Sequence, residues 1–242
     1  MDAEARPSFY ALAPGGWRDY VTLLHLPYTA WNLGYVAIGA ALAPVLSTER
    51  LVLALVAFFL AVGIAAHALD ELNGRPLQTR ISDRTLVVLT VTPLAGAVAI
   101  GIYAAVAYTP WIALFAAVGA FAVVAYNAEL FGGRFHGDVQ FALTWGAFPL
   151  LTGAFVMEER FTAAAVVAAA FAFCLSLAQR RLSTQVRDVR RRVDHISGRI
   201  ERRAGTTEPV TAETLIRAEE RALKLMAAAV VLLAVALVAL HA

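Results

Sequence analysis

Cysteine is almost absent from this sequence, since Cys174 is the single thiol in 242 residues. One cysteine can form neither an intramolecular disulfide nor a cysteine metal cluster, so both are excluded within the chain. Because Cys174 falls inside a long apolar run, we expect it to be a buried packing residue. The first six residues have no apolar core of the kind that signal peptides carry, and we expect them to remain as a short tail.

Charge is also scarce. Only 16% of the residues are charged, whereas 60% are hydrophobic, and the mean hydropathy is +0.68. This composition excludes an ordinary soluble domain and is typical of a membrane protein. We predict an all-α, polytopic integral membrane bundle that forms a single domain over residues 1–242. Membrane lipids are its expected surroundings, and no nucleic-acid partner is predicted.

Long apolar runs are abundant. A helix needs about 20 residues to cross about 30 Å of hydrocarbon, and seven runs are long enough. We place them at residues 26–46, 51–69, 85–107, 111–131, 139–157, 161–179 and 222–240. With seven spans, 18 of the 20 basic residues fall on the side of the amino terminus, and only Arg50 and Arg160 fall on the other. The positive-inside rule therefore predicts a cytoplasmic amino terminus.

A polar stretch, residues 67–82, follows the second apolar run. The groups that recur there at i, i+3, i+4 and i+7 are His67, Asp70, Glu71 and Gly74. In a helix they share one face, which could hold a divalent cation. Polar groups at the end of a membrane helix are costly unless they are used. The alternative is an ordinary basic connector in which both carboxylates pair with Arg75 and Arg80.

Other polar groups stand close to the apolar runs. A second cluster follows the fourth run, between Tyr126 and Asp138, and it contains Asn127 and Arg134. In the first run, Asn32 is a carboxamide inside an apolar segment and needs a hydrogen-bond partner there. It either bonds to a neighbouring helix or lies in a pocket, and the sequence leaves both open.

An arginine-rich segment after the sixth run carries a heptad-like apolar stripe. Its members are Leu182, Val186, Val189, Val193, Ile196 and Ile200. Gly205 and Pro209 turn the chain, and Thr211 is placed to cap the next helix. We predict a cytoplasmic helical hairpin over residues 182–221 that extends the sixth and seventh spans. Its arginines face anionic lipid, a diphosphate or water.

These features resemble the UbiA-type prenyltransferase superfamily, helical membrane proteins with one aspartate-rich motif after helix 2 and another after helix 6. The matching positions are His67-x-x-Asp70-x-x-x-Gly74, Arg75-Pro76-Leu77 with Ile81-Ser82, Asn32, Tyr126-Asn127, and Trp145-Gly146-Ala147-Phe148-Pro149-Leu150-Leu151-x-Gly153. The first has the spacing of the family's Asp-x-x-Asp-x-x-x-Asp, with a histidine and a glycine at its ends. The second motif keeps one carboxylate, Asp188, among arginines. The last two of the family's nine helices have no counterpart.

The resemblance implies a UbiA-like fold and a membrane prenyltransferase or terpene cyclase that acts on an isoprenoid diphosphate. It implies Mg²⁺ as cofactor and a lipid-soluble acceptor as the second partner. The implied catalytic residues are His67, Asp70 and Glu71, and the implied metal ligands are Asp70, Glu71 and Asp188. The implied substrate-binding residues are Asn32, Asn73, Arg75, Arg80, Asn127, Arg134, Arg187 and Arg190. The alternative is a non-catalytic protein of the same fold that binds a lipid or a protein partner through its arginine-rich cytoplasmic face.

Overall fold

A computed structural model describes residues 6–242, so the predicted tail over residues 1–5 lies outside the described part. Almost all regular structure in it is helical. The helices are α1 (Trp17–Leu23), α2 (Leu26–Ala41), α3 (Thr48–Leu72), α4 (Asp83–Ala107), α5 (Trp111–Asn127), α6 (Asp138–Glu158), α7 (Ala163–Arg192) and α8 (Ala212–Ala239). A single turn at Leu130–Gly133 connects α5 to α6.

Five helices, α3, α4, α6, α7 and α8, are long and apolar enough to cross a membrane, and α5 is a shorter apolar helix. Each of the seven predicted segments overlaps one of the helices α2 to α8. The helix content and these lengths support an all-α, multi-pass membrane protein. Cys174 is exposed on the surface of α7, so the expectation that it is buried is wrong.

The central helix is α2, which packs against α6 and α8. The backbones of α2 and α6 meet at two glycines. A Cβ atom on Gly39 would lie 2.0 Å from the carbonyl oxygen of Leu150, and one on Gly153 would lie 2.0 Å from that of Val36. Glycine permits this approach because it has no side chain, as in many membrane helix pairs. The contact fixes α2 and α6 against each other.

Two helices contain a π-helical turn, α3 at Phe59–Ala66 and α6 at Leu143–Ala147. Such turns are rare and are frequently found at functional sites. The turn in α6 ends two residues before Pro149, which has no backbone N–H to continue the regular hydrogen-bond pattern. The Nδ2 atom of Asn32 donates a hydrogen bond to the carbonyl oxygen of Trp145 in this turn, at 3.0 Å. The interhelical bond predicted for Asn32 is therefore present.

The predicted helical hairpin over residues 182–221 is wrong at its tip. The helix α7 ends at Arg192, and the backbone of Val193 is extended. Strands β1 (Arg199–Glu201) and β2 (Thr207–Pro209) then form an antiparallel pair. The chain reverses through Gly205, whose φ of 81° lies in a region that glycine adopts without strain. The stripe from Val193 to Ile200 therefore belongs to a loop and a strand.

The base of this hairpin agrees with the prediction. Val186 of α7 packs with Ile216 and Leu223 of α8 in one buried cluster. The hydroxyl oxygen of Thr211 accepts a hydrogen bond from the Thr214 backbone N–H at 3.2 Å, so the predicted cap of α8 is confirmed. The two helices therefore stand side by side, and the end of α7 is held in a fixed position.

Candidate functional site

A polar cavity of about 810 Å³ lies where α3, α5 and α7 end and α6 begins. The start of α2 and the segment before α1 complete its wall. Six predicted site residues line this cavity: Asn32, His67, Asp70, Asn127, Arg187 and Asp188. The remaining predicted residues, Glu71, Asn73, Arg75, Arg80, Arg134 and Arg190, are not among its lining residues. Half of the twelve predicted site residues therefore line the cavity, and the other half do not.

The end of α3 contributes Asp70 and His67. The Asp70 carboxylate lines the cavity and has no hydrogen bond or ion pair with any residue in the described range 6–242. The Nδ1 atom of His67 lies 3.2 Å from the carbonyl oxygen of Gly63. A carbonyl oxygen can only accept, so Nδ1 carries the proton and Nε2 is left as an acceptor. His67 therefore presents Nε2 as a hydrogen-bond acceptor.

The wall beside His67 is aromatic and uncharged. The ring of His25 stacks on that of His67, with 3.9 Å between ring centres, and the ring of Tyr10 lies 5.1 Å from His25. Burial lowers the pKa of His25 well below its usual value, and the neighbouring His67 lowers it further. Burial also raises the pKa of Tyr10 to about 12. Both side chains are therefore neutral near pH 7.

Several buried polar atoms of this wall have no hydrogen-bond partner within residues 6–242. They are Nε2 of His25, Nε1 of Trp31, Oδ1 of Asn32 and the hydroxyl of Tyr126, and all four residues line the cavity. Buried polar groups in folded proteins are nearly always paired. Water or the polar part of a ligand is therefore needed to satisfy this wall. Both alternatives for Asn32 therefore hold. Its Nδ2 atom bonds to α6, and the residue also lines the cavity.

Glu71 is fully buried and holds the loop after α3. One carboxylate oxygen accepts a hydrogen bond from the Leu77 backbone N–H at 2.8 Å. The other accepts from the backbone N–H of Thr79 at 2.8 Å and from its hydroxyl at 2.9 Å. Because both oxygens are occupied outside the cavity, the position of Glu71 does not support its predicted catalytic and metal-binding roles. Glu71 lies in the helix next to Asp70, as predicted. The loop after α3 then folds back, and its backbone N–H groups bind the Glu71 carboxylate.

The polar residues of this loop are also structural. Arg75 pairs with Asp83 and donates to the Ile81 carbonyl oxygen at 2.6 Å. Asn73 donates to the carbonyl oxygen of Asn127 at 3.1 Å, and the side chain of Arg80 is exposed. In the second cluster, Arg134 is exposed as well. The substrate-binding roles predicted for Asn73, Arg75, Arg80 and Arg134 are therefore not supported by their positions.

Arg190 also lies outside the cavity. Its Nε atom is 2.6 Å from a carboxylate oxygen of Glu220, and the two side chains are 12% and 13% exposed. One of its terminal nitrogens donates to the carbonyl oxygen of Arg6 at 3.2 Å. These contacts tie α7 to α8 and to the amino-terminal segment. The predicted contact of Arg190 with a diphosphate is therefore not supported by its position.

The end of α7 forms a cationic wall, which we define as Arg180, Arg181, Arg187, Arg191 and Arg192. Three of its members are paired within the cavity. Arg180 and Arg181 contact the Asp138 carboxylate at 3.3 and 3.2 Å, and Arg192 contacts Asp188 at 3.5 Å. Asp188, one of the predicted metal ligands, is therefore exposed and engaged in an ion pair.

Arg187 and Arg191 have no carboxylate within ion-pair distance among residues 6–242. Arg187 donates to the hydroxyls of Ser183 and Thr184 at 3.1 and 2.9 Å. Arg191 donates to the Pro7 carbonyl oxygen at 3.2 Å. Sequence reasoning missed Arg191, although its i, i+4 spacing from Arg187 puts both on one helical face. Arg187 and Arg191 therefore face the cavity with only neutral hydrogen-bond partners within residues 6–242.

An apolar cleft continues from the cavity between α3, α4, α5 and α6. Val62 and Trp145 line both spaces, so the two meet there. At its far end lie Arg50 and Tyr108, whose ring centre is 4.2 Å from the guanidinium carbon. From Arg50 to Val62 the cleft follows α3 for about 18 Å at 1.5 Å per residue. A polar cavity thus leads into a long apolar cleft.

Magnesium is the cofactor that the resemblance implies, and the donor set fits it in part. Among residues 6–242 no group of three or more His, Cys, Asp and Glu side chains is arranged to hold a metal ion. Mg²⁺ is, however, often held by one or two carboxylates together with phosphate oxygens of its substrate. Asp70 could supply one such carboxylate. The described residues therefore fit one shared ion, and they do not fit the metal set of two aspartate-rich motifs.

Comparison of this chain with known proteins finds no matching family model, no matching curated protein and no matching solved structure. The fold and the site together define the class, a multi-pass helical membrane protein with a cationic cavity joined to an apolar cleft.

Proposed function

We propose that the chain is a UbiA-like membrane protein that binds an isoprenoid diphosphate and either transfers its prenyl group to a lipid-soluble acceptor or cyclises it. The observation that carries the proposal is the junction at Val62 and Trp145, where the cationic cavity meets the apolar cleft. A prenyl diphosphate has the same two parts, a small polyanion and a long hydrocarbon chain. The diphosphate lies beside α7, and the hydrocarbon chain lies between α3 and α5.

In the membrane the chain spans seven times, with its amino terminus in the cytoplasm. The distribution of basic residues supports this orientation. Arg50 pairs with Glu159 at 3.0 Å, and Arg160 pairs with Glu158 at 2.9 Å, so the two arginines of the opposite side lie at one end of the bundle. The cavity is at the other end and opens to the cytoplasm.

The residues of the cavity suit the two charges that prenyl transfer separates. The bond between C1 of the prenyl group and the diphosphate oxygen breaks, and its electron pair leaves with the diphosphate. Arg187 and Arg191 stabilise the negative charge of this leaving group, because guanidinium binds phosphate oxygens strongly. A new bond joins the acceptor to C1, and the acceptor proton passes to Nε2 of His67.

When bound, Mg²⁺ would neutralise part of the negative charge on the leaving diphosphate. Asp70 is the residue of this chain that would hold it, together with phosphate oxygens of the substrate. Across the cavity, Asn32 and Tyr126 bring polar atoms without a partner in residues 6–242, which suits a polar acceptor group.

The second candidate is a non-catalytic protein of the same fold that binds a lipid or a protein partner through its arginine-rich face. One observation favours it: the region of the family's second carboxylate motif contains arginines, and its one carboxylate, Asp188, is paired with Arg192. Release of inorganic diphosphate separates the candidates, since an enzyme releases it on adding acceptor or on cyclisation and a binding protein does not.

The proposal is tested with the full chain in lipid nanodiscs and farnesyl diphosphate as ligand. Val62→Trp fills the junction, so we expect it to weaken farnesyl diphosphate binding about tenfold or more while binding of inorganic diphosphate stays unchanged. Val56→Trp is the matched control, because Val56 lies on the same helix, is 43% exposed and does not line the cleft. Equal binding by both variants and the wild type would contradict the proposed site.

The topology is tested separately by cysteine labelling in a Cys174→Ser background. Arg160→Cys should react with an impermeant reagent from outside, and Arg203→Cys should react from the cytoplasm. The reverse pattern at either position would overturn the orientation.

A further inference from the structure

We infer that the diphosphate is bound directly by Arg187 and Arg191, which stand in place of a second metal site, so that binding persists without a divalent cation. This inference rests on the proposed function, because it names the residues that bind the headgroup of the proposed ligand. It also departs from the resemblance, which implies metal ions at both motifs.

The first support is the charge balance of the cationic wall. Arg180 and Arg181 share the Asp138 carboxylate and Arg192 pairs with Asp188, but no carboxylate of residues 6–242 lies within ion-pair distance of Arg187 or Arg191. Arg187 is partly buried. A partly buried cation without a counter-ion is costly, and an anion in the cavity would remove that cost.

The second support is geometry. Arg187 and Arg191 are four residues apart on α7, so their Cβ atoms lie about 5 to 6 Å apart on one face. Two guanidinium groups with this spacing can each bind one phosphate of a diphosphate, because each offers a planar pair of N–H donors. Neighbouring groups already orient them, since Ser183 and Thr184 bind Arg187 and Pro7 binds Arg191. These neutral acceptors leave the positive charges uncompensated.

The third support is the lack of a second metal site in the described chain. Asp188 is the single carboxylate of the motif region on α7, and it is exposed and paired with Arg192 at 3.5 Å. No set of three or more metal-binding side chains occurs in residues 6–242. The positive charge at this wall therefore comes from the protein itself.

The experiment measures the affinity of the full chain in nanodiscs for farnesyl diphosphate, in excess EDTA and in Mg²⁺. We expect clear binding in EDTA. The double variant Arg187→Gln, Arg191→Gln should bind about 100-fold more weakly in EDTA, because each lost charged hydrogen bond costs roughly tenfold. Arg217→Gln is the control on the neighbouring helix α8, and its affinity should change by less than about threefold because Arg217 is exposed, paired with Glu213 and not among the cavity-lining residues.

The outcomes separate the two hypotheses. Binding that requires Mg²⁺ would overturn the inference and leave the proposed function standing. A double variant that binds as well as the wild type in EDTA would also overturn it. No binding of farnesyl diphosphate with or without Mg²⁺ would overturn the proposed function itself. If the glutamine variant does not fold, the double variant Arg187→Lys, Arg191→Lys keeps both charges, and it should bind with intermediate affinity in EDTA. Full loss of binding in a folded lysine variant would contradict direct contact through charge.

Discussion

Two charged segments lie next to the cavity. The charged side chains of one mainly hold a loop in place, and those of the other face the cavity. In the segment over residues 67–83, Glu71 binds backbone N–H groups and Arg75 pairs with Asp83, so most charges hold a loop in place. In the segment over residues 180–192, five arginines face the cavity. The segment that looks most like a metal motif in sequence is thus mainly structural, and the arginine-rich segment supplies the positive charge of the cavity.

The physical reason lies in the chain that follows each helix. After α3 the chain turns back at Gly74, and its amide groups come within reach of Glu71, which satisfies them because buried N–H groups need acceptors. The end of α7 is instead supported by α8, so its polar face remains directed to the cavity. The predictions below separate structural charges from binding charges.

The largest effect is expected for Arg190→Ala, which leaves the mostly buried carboxylate of Glu220 without this partner. We expect a loss of about 3 to 5 kcal/mol in the free energy of unfolding, as for a broken buried ion pair. Affinity for farnesyl diphosphate should stay unchanged in the folded fraction. Denaturation in detergent measures the first quantity and titration the second. Weaker ligand binding with unchanged stability would place Arg190 in the site.

Glu71→Gln should have the next largest effect. The amide group of glutamine cannot accept on its nitrogen, so a buried backbone N–H loses its partner at a cost of about 2 to 3 kcal/mol. Glu201→Gln is the control, because Glu201 is exposed and does not line the cavity. We expect unfolding of the Glu71 variant at lower denaturant concentration, without a change in Mg²⁺ dependence. A stable variant that lost its response to Mg²⁺ would restore Glu71 as a metal ligand.

Asp70→Asn should change binding and leave stability unchanged. It removes a cavity carboxylate that has no ion pair within residues 6–242, and it changes little volume. In the wild type we expect Mg²⁺ to strengthen farnesyl diphosphate binding about tenfold, and this gain of about 1.4 kcal/mol should vanish in the variant. Affinity in EDTA should be equal or slightly higher, because a negative charge is gone. An unchanged response to Mg²⁺ would remove Asp70 from the site.

The smallest effect is expected for Asp83→Asn, which breaks the exposed pair with Arg75. Exposed pairs contribute about 0 to 1 kcal/mol, so both stability and ligand affinity should remain close to those of the wild type. Thermal unfolding in detergent is the measurement. A loss as large as that for Glu71→Gln would show that Arg75, rather than Glu71, is the main support of the loop.

Much of the fold could be predicted from local pattern. Apolar run length located the helices, and the sequence around Thr211 predicted the start of α8. The site was only partly predictable. Asp70 and Glu71 are neighbours in sequence, but the spacing does not show which carboxylate binds the backbone N–H groups of the following loop. The spacing of Val193, Ile196 and Ile200 also fits a helix, yet the glycines there permit a strand pair. Arg191 could have been found from its spacing to Arg187.

The central claim is that the cavity and the cleft hold one isoprenoid diphosphate. Photo-crosslinking tests it most directly, with a geranylgeranyl diphosphate analogue that carries a diazirine at the far end of its hydrocarbon chain. The account predicts labelling of cleft residues around Ile112 and Phe115, and loss of this labelling when excess unlabelled geranylgeranyl diphosphate is added. Labelling confined to the exposed outer faces, such as Val166 and Val167 of α7, and insensitive to the competitor would contradict it.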